Sequence, residues 1–368
     1  MDGATVPPLP PGQRPNPGRG APSNPEPTRT GSPERVPDGD WLDARTAVDG
    51  DAPILRTCVT VETPRTIITR NQSPDIGFDR SINSYRGCEH GCIYCYARPT
   101  HAFLDLSPGL DFESRLFAKP DGAAMLQREL AARGYVPAPL AIGTNTDPYQ
   151  PIDKEWALTR GIVEVMAETR HPLIITTKSD RVVRDLDLLS VMAKDDLVHV
   201  AISVTTLDPT LARTLEPRAP SPAKRLAAVR ALADAGVPVQ VNISPIIPAI
   251  TDSEIERLCA AAADAGAYRA SYILLRLPHE VAPLFRAWLS AHYPDRADKV
   301  MHIVQDMRGG RDNDPAFGSR MRGTGVWAEL TRTRFKRAVR AYGLDIPALK
   351  LRTDLFTPPE RDGQMRLL

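Results

Sequence analysis

Three of the chain's five cysteines, Cys88, Cys92 and Cys95, fall within eight residues in the stretch Arg86-Gly-Cys-Glu-His-Gly-Cys-Ile-Tyr-Cys-Tyr-Ala-Arg98. A C-x3-C-x2-C loop can aim three thiolates at one soft metal centre, and three ligands on a four-iron cluster leave one iron without a protein thiolate. That open iron needs a partner. The other reading is a structural zinc site. Zinc is usually closed by four ligands, and only Cys92 and Cys95 form a C-x2-C pair here, so His90 or His101 would have to complete the set. Cys58 and Cys259 stand alone. A lone cysteine is more often a small buried hydrophobe than a ligand, so both are placed outside the site and a single cluster per chain is expected.

The spacing, with Tyr94 just before the last cysteine, resembles the cluster loop of the radical S-adenosylmethionine superfamily. The wider stretch S-I-N-S-Y-R-G-C-E-H-G-C-I-Y-C-Y-A-R-P-T-H is similar to a narrower photolyase-like group related to spore photoproduct lyase. G-T-N-T-D-P-Y-Q-P, L-E-P-R-A-P-S-P and F-G-S-R-M echo the same group, from about Thr66 to the C-terminus. The resemblance implies a 4Fe-4S cluster on Cys88, Cys92 and Cys95, with S-adenosylmethionine chelating the open iron. One electron, from a flavodoxin- or ferredoxin-type partner, would then cleave that cofactor to a 5′-deoxyadenosyl radical.

The rest of the chain must position this loop. Its 368 residues suffice for an enzyme, and the 42% hydrophobic share fits a globular protein. The 46 basic residues balance 45 acids, so the whole chain advertises no polyanionic partner. Residues 296–368 are different, with 15 basic residues against 9 acidic ones. No secretory leader or membrane-length apolar run is visible, and clustered thiols suit a reducing compartment, so a cytoplasmic protein without membrane contact is expected.

Four segments follow from composition. Residues 1–40 hold 11 of the 36 prolines and almost no large apolar side chains, which predicts a disordered, passive tail. Residues 41–79 form an N-terminal extension with short extended pieces in V-T-V-E-T-P-R-T-I-I-T-R. Residues 80–295 alternate short apolar runs with helical periodicity, and residues 296–368 make a basic helical extension. The runs are Pro139–Ile142, Leu173–Ile175, Leu197–Val204, Val237–Ile243 and Tyr268–Leu275, and counting Ser81–Tyr85 as the first strand gives six. Val281, Leu284, Phe285, Trp288 and Leu289 repeat at helical spacing. Thr251-Asp-Ser-Glu254 has capping-box spacing, Ser221-Pro222 suits a helix start, and Gly236 suits a helix stop. Repeated strand-helix units imply a parallel α/β sheet, open or closed. The resemblance selects a partial (β/α)6 TIM-like barrel with the cysteine loop after its first strand, at the strand ends where barrel active sites lie.

Polar residues follow the later runs. Asn145 and Asp147, after the second, could accept N–H bonds from the cofactor's amino group, or build an Asp-Pro turn. Lys178, after the third, is a carboxylate partner or a solvated loop lysine beside a Ser179 or Asp180 cap. Ser203 and Thr205, after the fourth, are placed to meet ribose hydroxyls or to serve turn chemistry. Arg218 could fork onto the methionyl carboxylate, or pair with Glu216 on the surface. By resemblance Tyr94 flanks the adenine; Asn242–Pro248, after the fifth strand, offers apolar surface for an adenine face or is plain core.

The basic extension carries a Gly-rich loop with Arg311, Arg320 and Arg322, then a helix with Arg332, Arg334, Lys336, Arg337 and Arg340. It could track a nucleic-acid backbone with Phe317 or Trp327 stacking, or be a solvated helix closing the barrel. In spore photoproduct lyases the segment after the second strand carries a cysteine that returns a hydrogen atom; here Thr144 takes its place, and a hydroxyl is a poor hydrogen-atom donor. Cys58, Cys259 or a tyrosine would have to substitute, so no catalytic residue is assigned. Three functions remain open: radical repair of a nucleic-acid lesion by a lyase-like enzyme, radical modification of RNA, protein or a small molecule, and a zinc-stabilised nucleic-acid-binding module.

Overall fold

The computed structural model describes residues 18–25, 27 and 55–360. Its strands are β1 (Cys58–Val61), β2 (Ile68–Arg70), β3 (Arg80–Ile82), β4 (Tyr85–Arg86), β5 (Arg115–Ala118), β6 (Leu140–Ile142), β7 (Leu173–Thr177), β8 (Val198–Ser203), β9 (Val239–Ile246) and β10 (Arg269–Leu274). Seven of them form one sheet in the order β10-β9-β8-β7-β6-β3-β2. Every neighbouring pair from β3 to β10 is parallel, and β2 joins the β3 edge antiparallel. Helices Gly122–Leu130, Leu158–Glu168, Leu186–Lys194, Pro222–Asp234 and Ile255–Asp264 make the crossovers, and Val281–His292 follows β10. This is the expected run of six strand-helix units in one parallel sheet, with β10 and β2 as its two edges among the described residues.

Burial explains the strand sequences. β8 is buried at all six positions and reads as a nearly unbroken apolar run, as a central parallel strand should. In β9, Val239, Val241 and Ile243 are buried, whereas Gln240, Asn242 and Ser244 on the opposite face are half-buried. Gln240, Asn242 and Ser271 hydrogen-bond to one another at 2.6–3.0 Å, so that face carries polar groups. On the helix Val281–His292, the five residues noted for their spacing are all buried.

The C-terminal extension covers the open β10 edge, which would otherwise expose a row of unpaired backbone groups. The Leu274 N–H donates to the Met321 carbonyl (3.0 Å) and the Ala270 N–H to that of Leu344 (3.2 Å). Helix Gly325–Ala341 buries Phe335, whose ring meets Tyr272 at 4.5 Å between centroids. Its residues join the same hydrophobic core as the sheet.

Four local expectations need correction. The first strand ends at Ile82; Asn83 and Ser84 break it, and β4 pairs instead with β5 in a small β1-β5-β4 sheet. The Thr251–Glu254 capping box does not form. Thr251 Oγ1 accepts from the Ile247 N–H, and Glu254 turns away to Thr206 and the Leu207 N–H. Cys58 is exposed on β1, not buried. Residues 19–21 are buried against the cysteine-loop region, which a passive tail would not be; most of residues 1–40 lie outside the described residues. Ser221 does precede its helix, though without a side-chain cap, and Gly236 sits at φ +77° after the helix end.

Candidate active site

The cysteine loop follows directly from β4, beside the C-terminal end of the first parallel strand. Arg98, fully buried, holds it together. Its Nε donates to the Cys92 carbonyl (2.9 Å), its Nη1 to those of Pro108 and Gly109 (3.1 and 2.9 Å), and its Nη2 to that of Gly91 (3.1 Å). Nη2 also pairs with Glu113 Oε1 at 2.5 Å, and neither side chain is exposed. Glu113 in turn accepts the Gly20 and Ala21 N–H groups at 2.9 and 2.7 Å, and its carbonyl accepts from Arg19 Nη1 at 2.6 Å. The N-terminal segment is thus strapped over the loop. Gly91, at φ +68°, admits this packing because a Cβ there would meet Glu113 Oε2 at 2.8 Å.

Cys88 and Cys92 are buried, Cys95 is half-buried, and all three are free thiols. Burial pushes the Cys88 thiol up, and pushes Cys92 to about 12 against the pull of the Lys178 charge. Three soft donors on one buried loop, unbonded to each other and facing a lysine, fit a cluster that would hold them as thiolates. Among the described residues no three His, Cys, Asp or Glu side chains are gathered to hold one ion, the three cysteines included. His90 Nδ1 faces Asp147 at 3.4 Å and His101 Nε2 lies 3.0 Å from the Arg115 carbonyl, while His101 Nδ1 is buried without a partner among the described residues. A metal-bound histidine also bonds its second nitrogen in this way, so the preference for a cluster over zinc rests on the C-x3-C-x2-C ligand count.

The loop after β6 is bolted to the cysteine loop. The Asn83 carboxamide oxygen accepts the Asn145 and Thr146 N–H groups at 3.0 and 3.3 Å. Gln150, buried, accepts the Glu89 N–H at 2.8 Å and donates to the Gly87 carbonyl at 3.2 Å. Asp147 accepts from the Lys178 N–H (2.7 Å), Thr177 Oγ1 (2.7 Å) and the Tyr149 N–H (3.0 Å). Burial raises its carboxyl, but His90 and these donors outweigh that and hold it at about 2. Both carboxylate oxygens of Asp147 are therefore engaged within the protein, joining β6 and β7 loops to His90. Asn145 stands next to it with its backbone, not its side chain, tied to Asn83.

The segment after β8 is stitched on the other side. The Ile93 N–H donates to the Leu215 carbonyl (3.0 Å) and the Arg218 N–H to that of His90 (3.3 Å). Arg218 pairs with Glu89 at 3.0 Å, not with Glu216. Glu216 is instead buried against Arg225, and it accepts the Tyr94 hydroxyl and that of Thr205 (2.8 Å). Burial raises Glu216, but Arg225 and Lys178 overcome this and hold it at about 2. Arg225 also donates to the Ser203 carbonyl at 3.1 Å. The result fixes the Tyr94 ring, over which Lys178 Nζ lies 5.7 Å from the centroid.

Of the sequence candidates, the three cysteines, Tyr94, Asp147, Lys178 and Arg218 are thus joined in one assembly at the strand ends. Ser203 is buried there, contributing its carbonyl to Arg225. Thr205 serves Glu216 and Tyr94, the turn-like role rather than an open ribose contact. Asn83, His90, Arg98, Glu113, Gln150 and Arg225 do the positioning. Asn83, His90, Arg98 and Gln150 carried a prior signal, by lying inside quoted motifs; Glu113 and Arg225 did not.

Three comparisons bear on this arrangement. A model of the Radical SAM superfamily matches residues 82–262. An uncharacterized protein of Mycobacterium tuberculosis is 39% identical over 230 residues, covering 62% of this chain and 68% of its own length. One of Methanocaldococcus jannaschii is 31% identical over 173 residues, covering 47% of this chain and 62% of its own. Among solved structures, spore photoproduct lyase complexed with dinucleoside spore photoproduct superposes with a TM-score of 0.54 at 19% identity, covering 77% of this chain and 79% of that one. At that identity the likeness speaks for the fold.

Proposed function

The chain belongs to the radical SAM superfamily and is a radical SAM enzyme, and from that premise we propose that Cys88, Cys92 and Cys95 hold a 4Fe-4S cluster at which S-adenosylmethionine binds. When bound, these groups supply an electron and a 5′-deoxyadenosyl radical for hydrogen abstraction. The observation that carries this reading is the stitching of one thiol-bearing loop to the ends of β3, β6 and β8 through Asn83, Gln150 and Glu216. Arg98 and Gln150 keep the loop backbone in place. Lys178 supplies positive charge beside the thiols, and Tyr94, held by Glu216, presents a fixed ring for an adenine. Arg218 is half-exposed and, among the carboxylates of the described residues, joined to Glu89 alone, so it can turn to a methionyl carboxylate; Asp147, saturated, serves positioning instead. A flavodoxin- or ferredoxin-type donor would supply the electron.

The substrate we propose is a nucleic-acid lesion or base. Among the hydrogen-atom sources raised by the sequence, Cys58 lies on the separate small sheet and Cys259 is buried in helix Ile255–Asp264. Tyr96 is different: its ring is exposed, and its hydroxyl donates to the carbonyl of Thr144, the residue standing where a donor thiol is absent. The test is anaerobic reconstitution with iron and sulfide. About four irons per chain are expected for wild type, with loss in each of Cys88→Ala, Cys92→Ala and Cys95→Ala. One zinc and no iron would overturn the reading, and iron near eight would defeat the single-cluster expectation.

A further inference from the structure

Three arginines meet where the C-terminal extension crosses the end of β10, and two of them are engaged by several acceptors each, although the buried Arg308 Nε has no partner among the described residues. Arg308, buried, donates to the carbonyls of Leu275 and Arg320 at 2.8 Å and to that of Ser319 at 3.2 Å, which pins the F-G-S-R-M segment to the strand end. Arg320 pairs with Asp75 and donates to Ser73 Oγ at 2.6 Å. Arg276 is not accounted for. It is half-buried, its Nη1 donates only to the weak acceptor Met321 Sδ at 3.4 Å, and its buried Nε has no partner. No carboxylate among the described residues lies within ion-pair distance of it. Burial and then the Arg320 charge lower it, with Tyr96, Asp75 and Asp314 only partly compensating. Asp75 is already committed to Arg320 and the Gly318 N–H, and Asp314 to Ser319 and the Ala316 N–H.

A guanidinium kept partly dry beside another, with donors idle, costs stability and yields nothing to the fold. Its surroundings say what would repay it. The guanidinium lies 5.9 Å from the centre of the Tyr96 ring, and Arg320 lies 4.5 Å from that of Phe317. Both rings are largely exposed, at 53% and 59%. Cation and aromatic face therefore alternate twice, next to the cysteine loop. Fixed positive charge between open ring faces is the arrangement that takes a phosphodiester and stacks the bases beside it.

We propose that Arg276, with the Tyr96 ring beside it and the Phe317 ring beside the neighbouring Arg320, is the site that seats a phosphodiester of a single-stranded nucleic-acid substrate. This deepens the proposed function and rests on it. It moves the nucleic-acid contact away from helix Gly325–Ala341, where Arg334 is paired with Glu256 at 2.7 Å and Arg332 with Glu329 at 2.8 Å, and where Trp327 packs against the core. A free carboxylate ligand would satisfy Arg276 but would leave both rings unused.

The test is fluorescence anisotropy of a labelled oligothymidylate with the full reconstituted chain, without reductant or S-adenosylmethionine, across a salt series. Arg276→Gln should weaken binding about tenfold, the effect of one charge-assisted hydrogen bond. It should also lower the salt slope by about 0.7, one phosphate's share on a single strand. Arg276→Lys should keep the slope while losing part of the affinity, because it retains the charge without the fork. Phe317→Ala should weaken binding and leave the slope unchanged, and Arg334→Gln should leave both unchanged. The inference is overturned if the wild type does not bind, if Arg276→Gln and Arg276→Lys both bind as wild type does, or if Arg334→Gln is the variant that weakens. Because binding is scored without turnover, a chain that binds the oligonucleotide yet makes no 5′-deoxyadenosine keeps this inference and loses the proposed chemistry, and the converse result separates them the other way.

Discussion

Arg98→Met is the sharpest perturbation of the scaffold under the cysteine loop. Methionine keeps much of the stem and removes a guanidinium that makes five hydrogen bonds, four to backbone carbonyls and one to Glu113. Glu113 keeps its two backbone donors from Gly20 and Ala21 but loses the buried guanidinium paired with it. Removing one partner of a buried pair costs about 3–5 kcal/mol, and the separate bonds are not added to that figure because they are lost with the same group. Urea titration followed by tryptophan fluorescence should show that loss as a lowered midpoint. Reconstituted iron should fall with it, since the Gly91 and Cys92 carbonyls are released. Adding Glu113→Gln should recover part of the stability, because the stranded charge is the main cost; a coupling of about 1–3 kcal/mol is expected between the two sites. A single-variant loss under about 1 kcal/mol, or strict additivity in the double variant, would refute the reasoning.

Other consequences can be checked the same way. Gln150→Ala leaves the Glu89 N–H and the Gly87 carbonyl unpaired in a buried place, which should cost about 2–3 kcal/mol in urea titration and lower iron retention. In Gly20→Ala the new Cβ would sit 1.7 Å from the Gly91 carbonyl oxygen, so the strap should lift; faster amide exchange at residues 20 and 21, with global stability changed little, is the expected signature. Burial holds His171 and His199 at about 4, below the ordinary 6.5, so both are neutral in the fold. The unfolded chain therefore binds more protons below 6.5, and their stabilisation, full above that value, should decline as the pH falls towards 4. His199→Leu should flatten that decline in urea midpoints between pH 7 and 4.5; an unchanged slope would count against it.

The chemistry was legible because it is local. Cys88, Cys92 and Cys95 are fixed relative to one another by chain spacing, and five of the six parallel strands announce themselves as apolar runs between helical periods, the first, Arg80–Ile82, being the exception. What was hidden depends on distant meetings. Arg225 reads as one more basic residue in P-A-K-R-L-A-A-V-R, and only the fold brings it to Glu216 and the Ser203 carbonyl. That is why Glu216 looked like a surface partner for Arg218. Arg98 could not be told from a solvated arginine, since its acceptors at Gly91, Cys92, Pro108 and Gly109 converge only once the loop has folded back. Arg19–Ala21 sits in a proline-rich stretch whose composition argues for disorder, and its burial comes from the Gly20 and Ala21 N–H groups on Glu113 and from Arg19 bonds to the distant Glu113, Leu55 and Thr57, none of which local composition reveals. The capping box at Thr251–Glu254 failed for a related reason: Glu254 found Thr206 and the Leu207 N–H on the neighbouring loop, and the tertiary partners won over the local one.

The most direct test of the central claim is the formation of 5′-deoxyadenosine by the anaerobically reconstituted protein given reductant and S-adenosylmethionine, beside a Cys92→Ala control. The wild type should form it and the control should not. Equal formation by both, or none by a wild type that carries its full complement of iron, would contradict the assignment of the loop.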